Sequence, residues 1–328
     1  MKLLVSHHTA LRYWRSATEL EVKVAKPTRI ATTKGSVASV KDAKYLAPAD
    51  HGLVVNDKAP CDVLVYDADS RRPAATLVPH VWSGPVPAGA FVRIAEGIFV
   101  STPEFVYLQL AGTLDEVECA RLANELCGYY NLRRYEHFTQ RIAALTSKAR
   151  LTNMVNRSKH CYGATKALAG LRWVCDNSRS PQETNVLLAL CLPKRMGGMG
   201  LPLPKLNPQI ELGGRLSSYV EEGKYFPDLM WERQVRGKSV RVVVEYDSHE
   251  YHDEESDAEH TRIRRNEFKT VGMLVTSINR SQMKDAQSFI KAGRQIARDL
   301  GLWRKEPDTK QVSACQDLLD KLANETVF

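Results

Sequence analysis

The chain has 328 residues, enough for about two domains that each bury a core. Its composition, 43% hydrophobic and 26% charged, is that of a globular protein. It has no charge-free run of 18 apolar residues and only a short apolar start, which excludes a membrane-spanning helix and a signal-peptide core. The net charge of +8 leans toward a nucleic-acid partner, yet residues 1–150 and 151–328 each carry +4, so no basic tail drives it.

In chain order, residues 1–150 read as a mixed α/β domain, regulatory or DNA-recognising. His7 and His8 are the only paired histidines and fit an exposed helix start better than a ligand set. Strand-like runs follow at Leu53–Val55, Val63–Tyr66, Phe91–Ile94 and Ile98–Val100. Ser101-Thr102-Pro103-Glu104 has the grammar of a capping box ahead of a helix, and Thr113-Leu114-Asp115-Glu116 repeats it, with Gly128 as the stop. Lys148–Arg172 is basic, with Arg150, Arg157, Lys159, Lys166 and Arg172. It reads either as a solvated connecting helix or as a surface for a phosphate backbone, and a domain boundary is expected near its start. Seven cysteines, without a C-x-x-C pair, favour neither a disulfide framework nor a zinc ribbon and fit a reducing cytoplasm.

A second domain is expected over 151–305, followed by a C-terminal helix over 306–328. A helix starts at Ser180 and stops at Pro193. The loop Met196-Gly197-Gly198-Met199-Gly200 lacks the spacing of a phosphate-binding P-loop. Strands follow near 209–212, 225–231 and 240–247, then a charged helix near 255–270, a strand over 273–278 and a helix over 281–300. The order is α-β-β-β-α-β-α, so the fold class is α/β: an α+β N-terminal domain, then this second domain.

Chemistry concentrates at the end of the β-branched run Val240–Val244. Glu245 and Asp247 sit two apart there and share a face. An Arg236-Gly237 turn sets Asp228 opposite Glu245, whereas a Gly237-Lys238 turn sets it opposite Asp247. Either way three carboxylates converge, and a divalent cation with hard oxygen ligands, Mg²⁺ or Mn²⁺, relieves their repulsion. The competing reading is a solvent-facing acidic strand end paired with Lys238 and Arg241. His249 and His252 follow the strand. Arg262, Arg265 and Lys269 share a helix face and either contact phosphates or balance the acidic run 253–259.

The ordered set Ser180-Pro181-Gln182-Glu183, Pro227-Asp228, Val244-Glu245-Tyr246-Asp247, Tyr251-His252, Arg264-Arg265 and Gly272 resembles the PD-(D/E)xK restriction-endonuclease-like superfamily. Within it, the set is most similar to very-short-patch-repair endonuclease domains, over about residues 180–280. The resemblance implies a restriction-endonuclease-like fold and a Mg²⁺-dependent DNA endonuclease. Asp228 and Glu245 would be the metal ligands, Glu183 and Asp247 further acidic groups, and His252 the general acid or base. Glu183 is equally a helix-capping residue. Asp247 stands where the superfamily motif has lysine, and Ser248 where glycine is frequent. These departures fit the alternative, a non-catalytic DNA-binding regulator or antitoxin-like protein that keeps the nuclease fold. The phrases SHHTALRYW and Gly97–Pro103 are similar to N-terminal regions of bacterial defence proteins of the AbiEi antitoxin type, which implies a defence or toxin–antitoxin setting and a protein partner from such a locus. DNA is the expected partner, without a membrane.

Overall fold

A computed structural model describes residues 2–36, 60–72, 75–132, 139–211, 224–235, 237–247, 268, 272–302 and 305–324. The chain is of the α/β class and divides into two compact units between Val174 and Cys175. This is later than the boundary expected near residue 150. The basic stretch hides an apolar stripe: Leu151, Met154 and Val155 on helix α5 (Lys148–Arg157), and Ala164, Ala167 and Leu171 on α6 (Ala164–Leu171), are all buried in the core of the first unit. Burying each large side chain is worth about 1.5–3 kcal/mol, more than the solvated charges beside it decide. The strand expected at Leu53–Val55 lies outside the described residues.

The first unit is built on a six-stranded mixed sheet. Its strands are β1 (Leu3–Val5), β2 (Pro27–Thr28), β3 (Cys61–Val65), β4 (Leu77–Val81), β5 (Phe91–Ala95) and β6 (Ile98–Ser101), in the order β2-β5-β6-β1-β3-β4. Helix α1 (His7–Ser16) and the buried helix α3 (Pro103–Ala111) pack on each other, and α2 (Glu19–Val24) lies between α1 and β2 in the chain. Helix α4 (Glu116–Leu126) packs with α6, and β7 (Tyr130–Asn131) pairs with β8 (Thr139–Gln140).

Neither expected capping box forms as written. Thr102 caps α3 by position but gives its hydroxyl to Gly89 O at 2.9 Å, while Glu104 bonds Thr146 Oγ1 at 2.6 Å and Arg150 Nε at 2.9 Å. Helix α4 is capped two residues later, by Asp115 with Glu118 returning the bond. The paired histidines do start α1, but both are half-buried. His7 stacks on His80 with ring centroids 3.7 Å apart, and His80 bonds Asp62 at 2.8 Å.

In the second unit, α7 (Pro181–Cys191) precedes the short strands β9 (Lys205–Leu206), β10 (Ile210–Glu211) and β11 (Lys224–Tyr225). The long hairpin β12 (Leu229–Val235) and β13 (Lys238–Asp247) follows, then β14 (Met273–Asn279), α8 (Ala286–Asp299) and α9 (Thr309–Ala323). Four strands form one sheet, β14-β13-β12-β9, with β12 antiparallel and β14 parallel to β13. Helix α7 lies against β13, α8 against β14, and α9 packs on both helices. The glycine loop serves packing: a Cβ on Gly198 would come within 2.1 Å of Leu192 O, and one on Gly197 within 2.1 Å of Ala314 O. Among the described residues no helix is long and apolar enough to cross a membrane.

Candidate functional site

Val242, Val243 and Val244 are fully buried, which pins β13 in the middle of its sheet. Val235 pairs with Lys238, and the ladder runs from there to Leu229 against Val244. This is the register of the Arg236-Gly237 turn. Gly237 takes the positive φ, +77°, that such a two-residue turn requires. The ladder ends at Leu229 and Val244: Asp228 is a bend residue just before β12, and its side chain reaches the backbone N–H of Tyr246, the residue after Glu245. On the other side Glu245 faces Ser277, and Asp247 faces Asn279. Glu245 and Asp247 continue the row of Val243, the face covered by Ile210, Tyr225 and Phe268.

Each carboxylate is held by a specific donor. Asp228 is half-buried, and its Oδ2 accepts the backbone N–H of Tyr246 at 2.7 Å. The Tyr225 hydroxyl donates to Glu245 Oε1. Glu183, on the first turn of α7, is only 6% exposed. Its Oε2 accepts Arg179 N–H at 2.8 Å and the Asn207 amide at 2.6 Å, and its own N–H is capped by Ser180 Oγ at 3.1 Å. Burial, and then the charge of Asp228, push the Glu183 carboxyl up to about 7. The capping grammar and the site are thus not alternatives: Ser180 caps the helix, while Glu183 turns to Asn207 and senses Asp228.

Asn207 joins the parts. Its amide reaches Glu183, and its backbone N–H donates to Asp228 O at 3.1 Å. Its φ of +47° is a left-handed conformation that Asn tolerates better than most residues. Neither Asn207 nor Tyr225 is evident as a site residue from spacing. The Asn207-Pro208 pair does mark a turn, but its long-range role depends on the fold.

Among the described residues, no three His, Cys, Asp or Glu side chains gather closely enough to hold a metal ion by themselves. What the hairpin end brings into one neighbourhood is Asp228, through its bond to the Tyr246 N–H beside Glu245, and Glu183, which feels the charge of Asp228. Such a donor set does not suit an all-protein cage. It fits Mg²⁺, which takes one or two carboxylates and keeps water in the rest of its shell. Asp247 is half-buried at the end of β13. His252, Arg262, Arg265 and Lys269 lie outside the described residues.

Comparison with family models, with curated proteins and with solved structures finds no match to this chain.

Proposed function

We propose that the second unit is a metal-dependent endonuclease hydrolysing DNA phosphodiester bonds. The observation that carries this reading is the acidic end of the buried hairpin. Asp228, just before β12, accepts the N–H of Tyr246 beside Glu245, and Asp228 helps raise the carboxyl of buried Glu183 to about 7. Acidic groups crowded at the end of an apolar strand are costly unless a cation or a proton compensates them.

In this reading Asp228 and Glu245 hold Mg²⁺ or Mn²⁺. The cation, when bound, acidifies a water molecule and offsets charge building on the phosphate. The Tyr246 N–H and the Tyr225 hydroxyl orient the two ligand carboxylates, as outer hydrogen bonds commonly do. Glu183, fixed by Arg179 and Asn207, exchanges a proton near neutral pH, the range in which a carboxyl works best as an acid or base. Asp247 extends the acidic edge. His252 is the second proton-transfer group, and Arg262, Arg265 and Lys269 meet the phosphate backbone. Together they would replace the motif lysine missing at Asp247.

The test is cleavage of duplex, nicked and mismatched DNA with Mg²⁺, Mn²⁺ or chelator, using wild type, Asp228→Ala and Glu245→Ala. Metal-dependent cleavage lost in both variants supports the reading. Equal activity in all three proteins removes this site from the chemistry.

One observation favours a second reading: Asp228, Glu245 and Glu183 each accept a hydrogen bond from the fold, which a non-catalytic DNA-binding regulator would also retain. That reading expects salt-dependent DNA binding with no cleavage in either metal.

A further inference from the structure

The first unit carries a surface that the carboxylate site does not explain. A cleft of about 600 Å³ opens between the loop 82–88 and the end of helix α5. Its walls include Trp82, Pro85, Pro87, Arg157, His160 and Tyr162. A second cleft of about 200 Å³ adjoins it along α5 and shares Ala88 and Arg157; Arg150 and Asn153 line it further on.

The aromatic groups are preset. The Trp82 ring meets Phe105 edge-on at 4.9 Å, and its indole N–H donates to Pro85 O at 3.3 Å. Tyr162 is 81% exposed, yet its ring lies close over Gly112, where an added Cβ would come within 2.4 Å of Tyr162 Cε1. An aromatic ring held against backbone on one side and open on the other is a stacking platform, and little entropy is lost when a flat ligand covers it.

The guanidinium groups on these walls are Arg157 and Arg150. The side chain of Arg157, between the two clefts, makes no hydrogen bond or ion pair among the described residues. Arg150 follows seven residues earlier on the same helix face, about 10 Å away. The carboxylate among these walls, Glu104, is 6% exposed and already engaged by Thr146 and Arg150. A guanidinium uncommitted among the described residues, beside two aromatic rings, calls for a ligand that is flat and anionic along its length.

We propose that this surface binds single-stranded nucleic acid. A base enters the larger cleft against Trp82 and Tyr162, and the phosphodiester backbone runs along α5 over Arg157 toward Arg150. A duplex does not fit this arrangement, because its bases are stacked on each other and unavailable to the cleft. The proposal does not rest on cleavage by the second unit.

The experiment uses the full chain in chelator, with fluorescent oligothymidylate or oligouridylate of about ten nucleotides, a length within known single-strand sites. Wild type and Asp228→Ala are expected to bind equally. Tyr162→Ala, at an exposed position that does not threaten folding, is expected to weaken binding roughly 5–100-fold, the scale of one base–aromatic stack. Arg157→Ala is expected to lower the salt dependence by about 0.7 in the slope of log K against log salt. The DNA and RNA oligomers distinguish which sugar is accepted, and tight binding of either supports the surface. The proposal is overturned if wild type binds neither oligomer. It is equally overturned if Tyr162→Ala and Arg157→Ala both bind as wild type does, or if thymidine monophosphate binds as tightly as the oligomer.

Discussion

Glu183→Gln isolates the most unusual electrostatic feature of the second unit. The folded chain holds this carboxyl up at about 7, because it is buried and close to Asp228. In the unfolded chain it titrates near its ordinary value of 4.5. Below 4.5 both states keep the proton, and Glu183 costs nothing. Between 4.5 and 7 the unfolded state releases it while the folded state does not, so stability falls as pH rises. Above 7 the full cost, on the order of 3 kcal/mol, is present. Glutamine keeps an oxygen for Arg179 N–H and Asn207 but never ionises. The stability of Glu183→Gln relative to wild type should therefore rise by about 3 kcal/mol between pH 4.5 and 8.5. For a unit of this size that is a relative shift of about 6–12 °C in melting temperature. Urea unfolding at a series of pH values reads it directly. Mg²⁺ or Mn²⁺ at pH 8.5 should narrow the gap, since a bound cation compensates the ionised carboxylate in wild type. A stability difference that stays flat with pH would refute the reasoning about Glu183.

Three further outcomes follow from the same structure. Burial, and then the neighbouring His80, depress His7 to about 3, so the folded state keeps it neutral while the unfolded state takes up a proton below 6.5. The first unit should lose about 2 kcal/mol as pH falls from 6.5 to 5, and His7→Asn, which tolerates the φ of +44°, should remove most of that loss in thermal unfolding. Arg15 and Glu125 form a two-bond ion pair at 2.8 and 2.7 Å with exposures of only 5% and 2%. Arg15→Ala should cost about 3–5 kcal/mol in chemical denaturation, because it strands a buried carboxylate. Tyr225→Phe removes the hydroxyl that orients Glu245 and should raise the Mn²⁺ dissociation constant roughly 10–100-fold in calorimetry, with little change in stability.

The hairpin that positions the candidate site was legible from sequence for local reasons. A β-branched run defines β13, and the turn at Gly237 leaves two registers open from sequence; the pairing of Val235 with Lys238 selects the Arg236-Gly237 one. The cap at Ser180 was equally local. What could not be read depends on contacts far apart in the chain. Glu104 fits a cap by spacing, but Thr146 and Arg150 claim it in the fold. The charges of 148–172 drew attention away from a stripe of small and apolar residues that buries α5 and α6 in the first unit. His7 could not be placed against His80 and Asp62 without the sheet that carries them. Asn207 has no spacing that announces its bond to Glu183, 24 residues earlier.

The central claim is that the carboxylates at the end of the β12–β13 hairpin form a divalent-cation site. Mn²⁺ binding measured by calorimetry at pH 8, on wild type, Asp228→Asn and Glu245→Gln, tests it most directly. Both substitutions keep the side-chain shape while removing one ligand charge. The account predicts saturable binding of Mn²⁺ by wild type, competed by Mg²⁺, and its loss in both variants. Identical isotherms for the three proteins, or no saturable binding by wild type, would contradict it.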